Sequence, residues 1–253
     1  ISRFVGAPTL GNFNRAQTLI TIPIQKLQTA LTFTLFPELR PSGPMLRQRE
    51  TFTDLMILVT WPAVVLGGMG VFIAPPFVEL LLGPGWEEAA AMAGYAVLLG
   101  VIPIIGVPLG SAVEALGRFR VMTVAWAAQT ACIVAGAYGS YSSASPYPAI
   151  IGLLGATIIG IPVYGGSLVM QGQLLLRQFT RGTLVVFAVQ ACVTVVYVGV
   201  SLFLTTDLPL VRLAIMVGIA VVELTVLWSV RKRTHFGTVA SAYRLPGFSR
   251  TDA

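Results

Sequence analysis

Charged side chains are the scarcest resource in this sequence. Asp, Glu, Lys and Arg together make up 10% of its 253 residues, where a soluble domain carries about 25%. So few charges cannot cover a water-facing surface of that size. Histidine is down to one residue, His235, in a polar tail where it reads as solvated, and cysteine to two, Cys132 and Cys192, each inside an apolar run. A thiol in such a run behaves as a small hydrophobe, so neither a disulfide framework nor a metal centre is expected, and no cofactor is implied. The nucleophile, base and orienter that acyl transfer needs are not found together, so no catalytic residue is assigned and an enzyme is not expected. Strict period-two alternation, the mark of barrel strands, is absent too. The chain opens at Ile1 without the charged-then-apolar layout of a signal peptide, and it reads as a piece of a longer protein.

What fills the sequence instead is apolar. Hydrophobic residues account for 55% and the mean hydropathy is +0.82. About 20 such residues cross a bilayer as a helix, and seven spans can be drawn: Asn12 to Phe36, Phe52 to Ala74, Ala89 to Leu116, Val121 to Tyr138, Ala149 to Met170, Thr183 to Leu204 and Leu208 to Val230. Pro75 and Pro76 are expected to end the second, with Phe77 to Gly83 a short interfacial helix before the turn GPGW. SYSSASPYP, residues 140–148, reads as a polar loop. The fold class is therefore all-α, a polytopic membrane bundle of about seven transmembrane helices. Glycines in GGMG (67–70) and YGG (164–166) lie inside spans, where close helix packing explains them better than phosphate binding.

The net charge of +6 does not point to nucleic acid, which needs a basic patch on a soluble face. Basic residues sit at span ends: Arg40, Arg47 and Arg49; Arg118 and Arg120; Arg177 and Arg181; Arg231, Lys232 and Arg233. Every second loop is basic, and basic loops are retained on the cytoplasmic side. The expectation is a multi-pass protein of the bacterial inner membrane with its C-terminus cytoplasmic.

One span differs from the rest. Between Leu10 and Arg40, at 100° per residue, Asn14, Gln17, Thr18, Thr21, Gln25, Gln28, Thr29 and Thr32 fall within an arc of about 120°. Arg15 and Lys26 share a line just beside it. The stripe either faces a hydrated passage or forms a helix-helix seam, since Thr and Gln also bond across membrane interfaces. Lys26 either attracts an anionic group such as a diphosphate or pairs with a carboxylate on another helix, and Arg15 reads as an interfacial anchor. A central charge costs about 2.5 to 3.5 kcal/mol on insertion scales, so Glu223 in the seventh span either finds a basic partner or sits at a bundle interface. Glu114 and Asp54 lie near arginines and are expected to pair locally. Glu79, Glu87 and Glu88 flank the GPGW turn as solvated groups, and the four tryptophans serve packing or the interface.

These residues carry a resemblance. LGNFNRAQ at 10–17 resembles the LGxYxxA helix opening of polysaccharide flippases, and LFPELR at 35–40 their PxxS helix end. LLLGPGWEEA at 80–89 is similar to their LLGxxWxxA turn, EALGRFR at 114–120 to their LxAxGR loop, and GLLGATIIG at 152–160 to their GxxGAAxAT helix start. Order and spacing agree over residues 4–170. The serine of PxxS is Arg40 here, and spans six and seven carry no recognised motif. The family is the lipid-linked oligosaccharide flippases of the multidrug/oligosaccharidyl-lipid/polysaccharide exporter superfamily.

The resemblance implies a two-lobed transporter of which this chain supplies the second lobe: five helices in residues 1–172, two additional helices in 173–230 and a basic cytoplasmic tail in 231–253. Its partners would be lipid-linked oligosaccharide, membrane lipid and the missing N-terminal lobe, with no nucleic acid. The substrate pathway would include Asn14, Gln17, Thr18, Thr21, Gln25, Lys26, Gln28 and Thr32, with Arg15 and Glu223 as charge partners. A cation-coupled multidrug extrusion transporter would want carboxylates deep in its helices and finds mainly Glu223. A membrane-embedded glycan polymerase or ligase would want His or Arg in a large external loop, and the external loops are short.

Overall fold

A computed structural model describes residues 7–35, 45–203 and 208–230. They form seven helices: α1 (Ala7–Leu35), α2 (Met45–Leu82), α3 (Glu87–Ala115), α4 (Phe119–Ser143), α5 (Tyr147–Met170), α6 (Leu176–Phe203) and α7 (Pro209–Val230). No strand occurs among the described residues. Six helices, α2 to α7, are long and apolar enough to cross a membrane. The seventh, α1, has the length but not the apolarity, because its polar stripe replaces hydrophobic side chains over a third of its circumference.

Helix ends follow from local chemistry. Gly117, in the EALGR motif, takes φ +66°, a conformation in which a Cβ is strained. With it the Gly117 N–H donates to Glu114 O (2.8 Å) and the Arg118 N–H to Val113 O (3.1 Å), the paired bonds that close a helix on a left-handed residue. The same pair recurs after α5, where Gly172 donates to Val169 O and Gln173 to Leu168 O, both at 2.9 Å. At the other end of α3, Glu87 and Glu88 occupy the first turn, where negative charge complements the helix dipole.

Two expectations about boundaries are corrected. Pro75 and Pro76 do not end the second span: α2 runs through them to Leu82, so Phe77 to Gly83 is no separate helix. Each ring removes one N–H, which membrane helices tolerate where neighbours hold the backbone. Here Ala74 and Val78, on either side of the pair, are buried in one core with Ala89, Ala90 and Ala93 of α3. Residues 140–143 are likewise helical rather than loop. Ser140 is buried and its Oγ accepts from the Ala149 N–H at 2.9 Å, so a polar residue is spent on joining α4 to α5.

Helix α3 is the centre of the larger part, packing on α1, α2 and α5, while α4 lies chiefly against α5. Small residues permit this. Ala16 and Ile20 of α1 meet the alanine-rich face of α3 (Ala89, Ala93, Ala96), and Ile24 approaches Gly100. Between helices in lipid the driving force is van der Waals fit and not water release, so such close approaches matter more than large side chains. Helices α6 and α7 stand apart from that bundle. Both rest on α2, where Ile57, Trp61 and Val65 form a core with Val186 and Leu227. The Trp61 Nε1–H donates to Gly182 O at 2.8 Å, and the Thr53 Oγ1 accepts from the Leu175 N–H at 3.0 Å.

Candidate functional site

The polar stripe of α1 lies where the helix leaves its neighbours. Ala16, Ile20 and Ile24 point at α3; Asn14, Thr18, Gln25 and Thr29 point away and are exposed. Gln17 and Gln28 are half-buried at the edge of the contact, and Thr21 is buried beside it with its Oγ1 unpartnered. Thr32 lies in the last turns of α1, where side chains fall outside the described residues. The seam alternative for the stripe therefore finds no helix to seam with among the described residues.

Lys26 and Arg15 are both exposed on the same open side. Among the described residues no carboxylate pairs with Lys26, so the pairing alternative finds no partner there. Arg40 and the tail with His235, Arg231, Lys232 and Arg233 lie outside the described residues.

At the two ends of the bundle the charges separate by sign. Arg49, Arg118, Arg120, Arg177 and Arg181 gather where α2, α4 and α6 begin and α3 and α5 end. There the Asp54 Oδ1 accepts from Gln178 Nε2 at 2.6 Å. At the opposite end Glu88 Oε2 accepts from Asn12 Nδ2 at 2.8 Å, and Glu79 pairs with Arg212 at 3.6 Å. Glu79 and Glu88 are thus partnered rather than simply solvated, each tying a neighbouring helix to the turn between α2 and α3.

Glu223 settles on the interface alternative. It is 1% exposed on the inner face of α7, and neither carboxylate oxygen has a hydrogen-bond partner. Across from it on α6, Gln190 is 8% exposed and also lacks partners at both Oε1 and Nε2. Tyr197, fully buried, stacks on Phe72 of α2 with ring centroids 4.7 Å apart and its hydroxyl donates to Met216 O at 3.4 Å. Sequence reasoning named Glu223 but missed Gln190 and Tyr197. The available signal was a glutamine inside the apolar run of the sixth span; one polar residue in a helix does not say which face is turned inward.

A second feature not foreseen is an open cleft of about 670 Å³ between α4 and α5 at the basic end, lined by Arg118, Arg120, Ser167 and Gln171 with Val124 and Pro162. Gly166 of YGG opens onto it and packs against nothing, whereas the GGMG glycines are close-packing residues as expected: a Cβ on Gly70 would lie 2.8 Å from Val97.

Apolar helices around polar groups held at depth define a multi-pass membrane protein. Its particular kinship comes from sequence. The chain is similar to the teichuronic acid biosynthesis protein TuaB of Bacillus subtilis (strain 168), with 28% identity over 122 residues, 47% of this chain and 25% of that one. It is also similar to the lipopolysaccharide biosynthesis protein WzxC of Escherichia coli (strain K12), 27% identical over 122 residues, 47% of this chain and 24% of that one. It is thus a relative of proteins of cell-envelope polysaccharide biosynthesis, in keeping with the resemblance in its motifs. The match spans about a quarter of the length of these curated relatives. No family profile matches the chain, and no solved structure does.

Proposed function

We propose that this chain is part of a flippase that moves polyprenyl-diphosphate-linked oligosaccharide from the cytoplasmic to the outer leaflet, in the service of surface polysaccharide assembly. The observation that carries the reading is the open polar stripe of α1: Asn14, Thr18, Gln25 and Thr29 face away from every other helix described. A row of amides and hydroxyls on a membrane helix needs hydrogen-bonding company, and a hydrated passage supplies it. A glycan crossing there would meet many uncharged partners in turn, each worth only about 1 kcal/mol, so it is guided without being held. Lys26 and Arg15, on the same open side, would attract the diphosphate. Alternating access between two lobes would then carry the head group across while the polyprenyl chain stays in lipid. In this reading α1 to α5 belong to the lobe that forms one wall of the passage, α6 and α7 are the additional pair, and the opposite wall is the other lobe. The charge separation between the ends supports a basic, cytoplasmic end that includes the start of α6 and the close of α7.

The test is replacement of Gln25, Lys26 and Gln28 together by leucine in the full-length protein. Export of surface glycan is expected to fall to background while membrane insertion stays at the wild-type level. Wild-type export by that variant would sink the passage assignment.

A further inference from the structure

The junction of α2, α6 and α7 holds polar groups that the passage does not use. Helices α6 and α7 run antiparallel, and three independent contacts fix their register. Val186 and Leu227 share one core, and Tyr197 bonds to Met216 O. In both pairs the two residue numbers have the same sum, and the pair Gln190 and Glu223 shares it, which sets the amide opposite the carboxylate. The third contact agrees, for Tyr197, seven residues beyond Gln190, lies near enough to Glu223 to sense its charge. The α2 face of the junction is Gly68, where the Gln190 side chain occupies the space a Cβ would need, and Phe72, stacked on Tyr197.

Glu223 stands seven residues, about 10 Å, inside the last residue of α7. No basic residue reaches it among the described ones. Arg212 on its own helix is eleven residues away and paired with Glu79; α2 carries no titratable side chain between Asp54 and Glu79; Arg181 on α6 is nine residues before Gln190 and exposed. A carboxylate shut away from water, with no cation and no donor on either oxygen, holds its place only if its charge is cancelled.

We propose that Glu223, with Gln190 and Tyr197, forms an intramembrane binding site for one monovalent cation, a proton or a sodium ion, at the junction of α2, α6 and α7. When a proton is the ligand, it adds to one carboxylate oxygen and the resulting O–H donates to Gln190 Oε1. When sodium is the ligand, the carboxylate and amide oxygens coordinate it directly, and the tyrosine oxygen completes the group. Once the ion leaves, the amide turns so that Nε2 donates to the bare carboxylate. Either ion brings one positive charge to a buried negative one, and the glycine at 68 is what lets the amide reach its place. The site stands on these three helices alone and does not rest on the flippase reading.

Infrared difference spectra of the purified full-length protein in lipid vesicles test it. Two exchanges are made: sodium for N-methylglucamine at fixed pH, and acid for alkaline buffer at fixed sodium. A carboxyl band that responds to the first assigns sodium, and one that responds to the second alone assigns the proton. Glu223→Gln is expected to remove that band, and Gln190→Leu to shift its midpoint by roughly tenfold in ion concentration, the loss of one oxygen contact. A wild-type spectrum silent to both exchanges, or a band unchanged in Glu223→Gln, overturns the proposal. Should Glu223→Gln fail to fold, an unshifted midpoint in Gln190→Leu overturns it equally. Glycan export is scored separately, so a failed site and a failed passage are different results.

Discussion

Gly136 and Gly152 meet backbone to backbone where α4 crosses α5: a Cβ on Gly152 would lie 2.7 Å from Cys132 O and 2.8 Å from Gly136 Cα. Gly155, one turn on, would place its Cβ an ordinary 3.7 Å from the Cys132 side chain. Gly152→Val is therefore expected to destabilise the pair by about 1 to 3 kcal/mol, the cost of overpacking, while Gly155→Ala leaves the thermal unfolding midpoint in detergent near that of the wild type. Equal midpoints for Gly152→Val and wild type would show that the helices separate freely there. At this scale the sequence is legible where residues repeat and opaque where they stand alone. Eight polar side chains on one arc of α1 declare a face. A single Gln190 does not, since its partner Glu223 lies 33 positions along the chain and nothing local links them.

Helix α1 shows what periodicity can decide. Its arc was readable because 100° steps turn composition into direction, and Ala16, Ile20 and Ile24 do face α3 as the apolar remainder of that arc requires. Helix α2 shows the opposite. Pro75 and Pro76 are strong local stops, yet α2 continues past them because Ala74 and Val78 are held against α3 by contacts 11 to 19 residues further along the chain, which no local rule contains. The α1 geometry is checked by single cysteines placed in the full-length protein after Cys132 and Cys192 have been changed to alanine. A hydrophilic maleimide is expected to label Thr18→Cys and Gln25→Cys readily and Ala16→Cys and Ile20→Cys scarcely. Similar labelling of all four would mean that α1 has no wet side.

For the molecule as a whole, sign of charge maps onto position: arginines at the end where α2, α4 and α6 start, carboxylates around the turn from α2 to α3. Loop charges alone foresaw this division, because each connection is short and its sign is read directly. If the basic end is cytoplasmic, an impermeant thiol reagent added to intact cells labels Ser145→Cys and spares Arg118→Cys; the reverse pattern would invert the orientation. The arrangement of α6 and α7 was not legible, since their attachment to α2 depends on Gly182, Trp61 and Gly68 finding each other across more than a hundred residues. One turn of α2 matters most here. Gly68 accommodates Gln190 of α6 while Gly70, two residues on, accommodates Val97 of α3, so rotating that turn disturbs both sides together. Occupancy and posture then become reciprocal quantities: if a bound ion favours one setting of α2 against α3, that setting must bind the ion more tightly by the same factor.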